Sequence, residues 1–331
     1  MSTPPKCPAR PRLRVEALED RSVPAFGGLG GDSIAAGNLF FNVAGTEYVT
    51  GAGPGSEPFV QVFDANGNGI VKFDAFDRSF TGGVSVAVGD VDGNGQLEII
   101  AGAGSGGGPV VAVFRADGTL LNTFFAYDPS FRGGVNVGAG DVTGDGRPDI
   151  VAGSGNGGGP MVAVFNLAGR REAAFFAYEP GFRGGVNVAV GDVDGNGVSE
   201  VVTGVGNGGS SLVKVFSGFG QLEEAFFAFD PAFRGGVTVA VGNTDARVGA
   251  DIFATPSFGD PEVRAFSGFG VLQAGFMPFP PGYTNSLNLA VADVTGDGFG
   301  DLIVVSGEGP LGQQPRIFFG AFNSTAGLNG P

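Results

Sequence analysis

The sequence contains no histidine and no tryptophan, and the only cysteine among its 331 residues is Cys7. A chain without histidine cannot build a Ser-His-Asp or Cys-His nucleophile. With neither histidine nor a second cysteine it has no ordinary zinc ligand set and no internal disulfide. Lysine is nearly as scarce, with only Lys72 and Lys214 after the first few residues. A net charge of −15 argues against nucleic acid, whose binding depends on phosphate neutralisation by Lys and Arg. No apolar run reaches 18 residues, so no transmembrane segment is expected. Glycine is the opposite case, at 64 residues, but it has no three-residue period and so excludes collagen. A hydrophobic content of 42% supports a sizeable core despite the glycine.

What the sequence has instead is a recurring acidic loop. Asp192-Val193-Asp194-Gly195-Asn196-Gly197-Val198-Ser199-Glu200 returns, with changes, at 90–98, 141–149 and 293–301. Position 1 is Asp90, Asp141, Asp192 or Asp293, and position 3 is Asp92, Thr143, Asp194 or Thr295. Position 5 is Asn94, Asp145, Asn196 or Asp297, and position 9 is Glu98, Asp149, Glu200 or Asp301. The residues at position 7, Gln96, Arg147, Val198 and Phe299, complete the candidate ligand set. Several oxygen donors in a short arc, with glycine where the backbone turns sharply, are what a hard cation such as Ca²⁺ requires. An EF-hand would close with Glu at position 12, but here that position is Ala101, Ala152, Thr203 or Val304, inside an apolar run. The closing carboxylate is therefore the one at position 9, and a strand follows rather than a helix. The competing reading is a set of ion-free Asx-turn hairpins. Four divalent ions would reduce the net charge to about −7.

The loops keep time with the whole chain. Loop-opening residues Asp90, Asp141, Asp192, Asn243 and Asp293 are separated by 51, 51, 51 and 50 positions. Six such units fill residues 26–331, and a period of this length means a propeller or a solenoid. Each unit reads as four short strands. In the fourth these are Val186–Val190, Glu200–Val205, Ser211–Phe216 and Ala225–Phe229, joined by the loop and by glycine turns. Four antiparallel strands per unit make a β-propeller blade. The expected fold is therefore all-β: one propeller of six four-stranded blades. Small residues such as Gly138, Ala139 and Ala189 suit the crowded inner strand. The Phe pairs at 124–125, 175–176 and 226–227 suit the wide outer wedge.

With the loops placed between the first two strands, these units resemble FG-GAP/VCBS-type repeats, the blades of integrin α-subunit heads and of many bacterial surface proteins. The residues that carry the likeness are Gly-Asp-Val-Asp-Gly-Asn-Gly…Glu, an apolar strand, and a glycine turn such as Gly104-Ser105-Gly106-Gly107-Gly108-Pro109. The resemblance implies structural calcium and a binding or adhesion role. Integrin heads have seven blades where six are counted here. Residues 1–25 lack the apolar core of an ordinary secretory signal. The tract Arg14–Ala25 resembles the short LExR leader of planctomycete surface and exported proteins, and the alternative is a disordered tail. Residues 23–26 or 319–328 are expected to complete the end blade.

Two units depart from the pattern. The first has Asn38-Leu39-Phe40-Phe41-Asn42, with Phe at position 3, and no ion is expected there. The fifth, Asn243 to Asp251, has Arg247 at position 5, whose guanidinium is expected to supply positive charge to Asp245 and Asp251 in place of calcium. A second repeated feature is Phe-Ala-(Tyr/Phe)-(Asp/Glu)-Pro-x-Phe-Arg-Gly-Gly, as in Tyr127, Asp128, Phe131 and Arg132. It reads either as a sugar-stacking set or as glue between blades, with Asp and Arg pairing. Repetition speaks against catalysis, because a single active site needs residues that differ between blades. The expectation is thus a non-catalytic surface or exported module that binds a protein or glycan. The alternatives are a lectin with sugar sites at blade junctions and a carbohydrate-active enzyme such as a polysaccharide lyase.

Overall fold

Alternating apolar residues such as Val-Asn-Val-Ala-Val cannot bury one face alone, so each unit folds into a small sheet that packs on its neighbours. A computed structural model describes residues 33–40, 45–259, 261–279, 286–306 and 316–318, and these are all-β, with no helix. They form six antiparallel sheets in consecutive strand order. The innermost strands are Ser33–Gly37, Val84–Gly89, Val135–Gly140, Val186–Gly191, Val237–Gly242 and Leu287–Ala292. Each lies beside the next, and the first lies beside the sixth, which closes the ring. The chain is a single β-propeller.

Five blades have four strands. The sixth, Leu287–Ala292, Asp301–Ser306 and Arg316–Phe318, has three among the described residues. Among the described residues, the expected six four-stranded blades are therefore five complete ones and a sixth with three strands. The leader and the terminal segments expected to finish that blade lie outside the described residues. Closure on the described side is by packing: Ile34, Tyr48 and Phe63 of the first blade cluster with Ala290, Ile303 and Val305 of the sixth. The Thr46 hydroxyl also donates to the Asp293 carbonyl.

In the fourth blade the strands are Val186–Gly191, Glu200–Val205, Leu212–Phe216 and Leu222–Phe227. The outermost strand begins and ends earlier than the sequence suggests, because it pairs Phe227 with Leu212 and Leu222 with Phe216. The register shifts between Val215 and Phe216, and likewise at Val164/Phe165 in the third blade. Such bulges increase the local twist where the blade fans outward. The second strand is buried along its length, whereas the outermost strand is largely exposed. The second strand carries a glycine where the next blade comes closest: a Cβ on Gly204 would lie 2.2 Å from the Val237 carbonyl oxygen.

Only the first phenylalanine of each outer pair fills the wedge. Phe124 packs on Phe165 of the next blade at 5.0 Å, Phe175 on Phe216 at 5.0 Å and Phe226 on Phe266 at 4.7 Å between ring centroids. Phe125, Phe176 and Phe227 are about half exposed. Strand alternation explains the split, because adjacent side chains point to opposite faces.

Candidate metal centres

Each acidic loop turns the chain from the innermost strand into the second strand, so all of them gather at one end of the propeller. The residue at position 9 begins the second strand, and its carboxylate is buried at Glu98, Asp149, Glu200, Asp251 and Asp301. Glu47 holds the corresponding place in the first blade and is fully buried. These carboxylates accept backbone N–H groups from the loop that leads into them. Glu200 Oε2 takes Val193 N at 2.8 Å, Asp149 Oδ2 takes Val142 N and Thr143 N, and Asp301 Oδ2 takes Val294 N and Thr295 N. Glu47 Oε2 takes Leu39 N at 2.7 Å. The position-9 acid is therefore part of the fold in every blade, whether or not an ion is bound. Glu47 was missed in the sequence because the first loop is one residue longer.

The carboxylate at position 1 folds the loop around itself. Asp192 Oδ1 accepts Gly195 N and Asn196 N at 2.7 and 3.0 Å, and Oδ2 accepts Gly197 N at 2.9 Å. Asp141 and Asp293 make the same set. Asp90 accepts Asn94 N and Gly95 N. Glycines at positions 4 and 6 take left-handed backbone, for example φ 77° at Gly195 and 91° at Gly197.

The loops separate into two kinds. In the second blade Asp90, Asp92 and Glu98, and in the fourth blade Asp192, Asp194 and Glu200, bring one carboxylate oxygen each within 4.8 Å of one another. Oxygens 2.3–2.6 Å from a common Ca²⁺ lie no farther apart than about 5 Å, so these donor sets fit that ion. Burial pushes Glu200 up to about 7, helped by the charges of Asp194, Glu223 and Asp192. Glu98 is raised for the same reason, with Asp92 and Asp90 adding. A divalent cation would relieve that crowding. Asn94 and Asn196, at position 5, direct their amide nitrogens to Asp92 and Asp194, and their oxygens accept Gln96 N and Val198 N.

In the third and sixth blades position 3 is threonine, and no third carboxylate joins the group among the described residues. The Thr143 hydroxyl donates to Asp149 Oδ2 at 3.0 Å. Burial pushes Asp149 up to about 6. Asp145 and Asp297 accept Arg147 N and Phe299 N. The structure thus assembles three-carboxylate clusters at two of the four expected loops. In the fifth blade Arg247 pairs with buried Asp245 at 3.0 Å, as expected, whereas Asp251 is held by the Thr244 hydroxyl at 2.5 Å and by Gln273 at 3.2 Å.

The loops are also joined to one another. Ser199 N donates to Asp141 O, Ala250 N to Asp192 O and Gly300 N to Asn243 O, linking blades three to six. The equivalent donor for Asp90 would come from Pro148, which has no N–H.

At the opposite end, the repeated aromatic segment acts as glue. Tyr127 donates its hydroxyl to Ala152 O and Met161 O of the next blade, and Tyr178 reaches Thr203 O and Leu212 O. Asp128 does not pair with Arg132. It accepts Ser130 N and Oγ, and Arg132 caps its own turn by donating to Pro129 O and Phe131 O.

Residues 90–152 match the FG-GAP-like repeat family. No curated protein matches the sequence. Among similar solved structures, the exotype rhamnogalacturonan lyase YesX shares 15% identity at a TM-score of 0.45, over 88% of this chain and 56% of that one. A Bacillus licheniformis rhamnogalacturonan lyase shares 15% at 0.48, over 91% and 75%. The V. cholerae biofilm matrix protein shares 16% at 0.40, over 80% and 41%. This chain therefore spans little more than half the length of YesX. The expectation of a non-catalytic chain is not upheld, because the similar solved structures include rhamnogalacturonan lyases. At such identities and scores they assign no reaction. No helix among the described residues is long and apolar enough to cross a membrane. Residues 90–152 are an FG-GAP-like repeat, and the ring of sheets that contains them is a β-propeller.

Proposed function

We propose that residues 26–331 form a calcium-stabilised binding module that acts at the cell surface or outside the cell and recognises a protein or glycan, with residues 1–25 as its leader. The observation that carries the reading is the pair of clusters at identical loop positions of the second and fourth blades. Calcium there would offset two of the three crowded negative charges and pin the hairpin that joins the two inner strands. The threonine loops would take the same ion with the hydroxyl of Thr143 or Thr295 and the second oxygen of Asp145 or Asp297, giving four sites.

The test is a glycan array probed with the protein in calcium and again in chelator, alongside a calcium titration by calorimetry. Calcium-dependent hits and four bound ions support the reading. Hits insensitive to chelator, with no heat of calcium binding, overturn the role of the ion. Release of unsaturated sugar products from an arrayed polysaccharide would replace binding by lyase activity.

A further inference from the structure

At one equivalent register position near the start of each innermost strand the residue is polar in all six blades: Ser33, Ser85, Asn136, Asn187, Thr238 and Asn288. They line an axial funnel of about 460 Å³ at the end opposite the acidic loops. Its rim carries the exposed side chains of Ser105, Asn156 and Asn207, one from each glycine turn of the second to fourth blades. Among the described residues the funnel has no charged and no aromatic side chain, in a chain with 33 acidic and 18 basic residues.

The wall is preorganised. Ser33 Oγ accepts Val86 N at 3.0 Å and Ser85 Oγ accepts Val137 N at 3.1 Å, each from the following blade. Asn136 Nδ2 donates to Val186 O at 2.8 Å, and Asn187 Nδ2 donates to Val237 O at 2.7 Å. These bonds fix the side chains but do not exhaust them. The two serine hydroxyls keep their protons to donate, and each carboxamide keeps further donor or acceptor capacity. Glycine pairs hold the rim close. A Cβ on Gly133 would lie 2.1 Å from Asn156 O, and one on Gly184 2.0 Å from Asn207 O.

We propose that this funnel is a binding site for an uncharged, hydroxyl-rich ligand, the end of a neutral saccharide entering along the propeller axis. The inference rests on the glycan half of the function proposed above. An ionic ligand would lose hydration there without a counter-charge, and an apolar one would strand the wall's polar groups. A neutral polyol exchanges hydrogen bonds with water for hydrogen bonds with fixed hydroxyls and amides. The volume lies within the usual range of small-molecule sites, about 300–1,000 Å³.

The experiment is an array of neutral and uronate-containing glycans, followed by calorimetry of the strongest neutral saccharide against the wild type and two variants. In the first, Asn156→Trp with Asn207→Trp places bulk at the exposed rim, where the fold has room. In the second, Asn136→Asp puts a charge into the wall. Neutral glycans are expected to bind in preference to uronates, with affinity falling at least tenfold in the rim variant at an unchanged melting temperature, and also falling in the wall variant. Binding that survives the rim substitutions overturns the site while leaving a glycan-binding protein intact. An array with only uronate hits, or with none, overturns the ligand class. In that case calcium-dependent capture of a protein would still uphold the broader reading.

Discussion

The fourth and fifth acidic loops are neighbours of equal length, bonded to each other through Ala250 N and Asp192 O, yet they balance charge in opposite ways. The fourth collects Asp192, Asp194 and Glu200 with no basic side chain among them. The fifth has Asn243 at position 1, and it answers buried Asp245 with Arg247 and buried Asp251 with Thr244. The backbone task is the same in both: turn the chain sharply and bury a carboxylate at the start of the second strand. What differs is compensation: the fifth loop carries its own guanidinium, and the fourth has no positive charge of its own. A loop's dependence on a cation should therefore follow its uncompensated carboxylates rather than its shape.

The largest effect should come from removing the ion. Extracellular calcium modules bind with a Kd of about 10⁻⁴–10⁻³ M. At tenfold excess over that value each filled site stabilises by about 1.4 kcal/mol, so four would contribute on the order of 6 kcal/mol and two about 3 kcal/mol. Chelation should lower the melting temperature by roughly 5–10 degrees while leaving the β-sheet signal at low temperature unchanged. A melt that ignores chelator would break the comparison at its root. A stoichiometry of two instead of four would sharpen it, limiting ions to the loops with aspartate at position 3.

The next effect reverses the roles of the two loops. Arg247→Asn removes the fifth loop's own cation and leaves buried Asp245 uncompensated. Because the guanidinium is partly exposed, the loss in chelator should be about 1–2 kcal/mol rather than the larger figure for a fully buried pair. Calcium should then restore stability and add one ion to the titration. An unchanged stoichiometry would show that asparagine at position 1, not arginine at position 5, keeps this loop free of calcium.

A smaller effect follows from protonation. In chelator, Glu200 at about 7 and Asp149 at about 6 hold protons more tightly in the folded chain than in the unfolded one. Their stabilisation is complete below the ordinary carboxylate range and is lost as pH rises through 6 and 7. Melting temperature in chelator should therefore fall between about pH 5 and pH 8, and saturating calcium should flatten that slope by favouring the ionised form. Melts across this range with and without calcium decide it, and a rise in stability with pH would contradict the burial of these groups.

The same contrast explains what could be read from the residues alone. The beat of Asp90, Asp141, Asp192 and Asp293, and the alternation of Val186 to Val190, are local and periodic, so the propeller and its loops were legible. The pairing of Arg247 with Asp245 was legible because a guanidinium in an oxygen position is an anomaly at a known place. Three features were hidden because they depend on how a turn folds back or on where the next blade lies. Phe175 is half-buried against the next blade and Phe176 exposed, according to which face the following sheet covers. Arg132 caps its own turn because the segment folds back tightly enough for Pro129 O to reach it first. The ring from Ser33 to Asn288 escapes notice because it mixes serine, asparagine and threonine, and only the axis brings those six positions together.

The smallest effect tests whether the two ends of the propeller act independently. At the junction of the third and fourth blades Tyr178 gives its hydroxyl to Thr203 O at 2.9 Å, while Lys214 lies over its ring at 5.1 Å and donates to Ala177 O. At the next junction Phe229 has no hydroxyl to give, and Arg264 sits over its ring at 4.8 Å and donates to Ala228 O. A cation on the following blade thus grips both junctions, and the tyrosine adds a buried hydrogen bond at one of them. Tyr178→Phe should cost about 1 kcal/mol, the net worth of that bond once the partner oxygens have lost their donor. The cost should be equal in calcium and in chelator, because the hydroxyl lies at the end away from the acidic loops. A loss that appears only in chelator would mean that the two ends are coupled through the inner strands, and the fourth and fifth loops could no longer be compared in isolation.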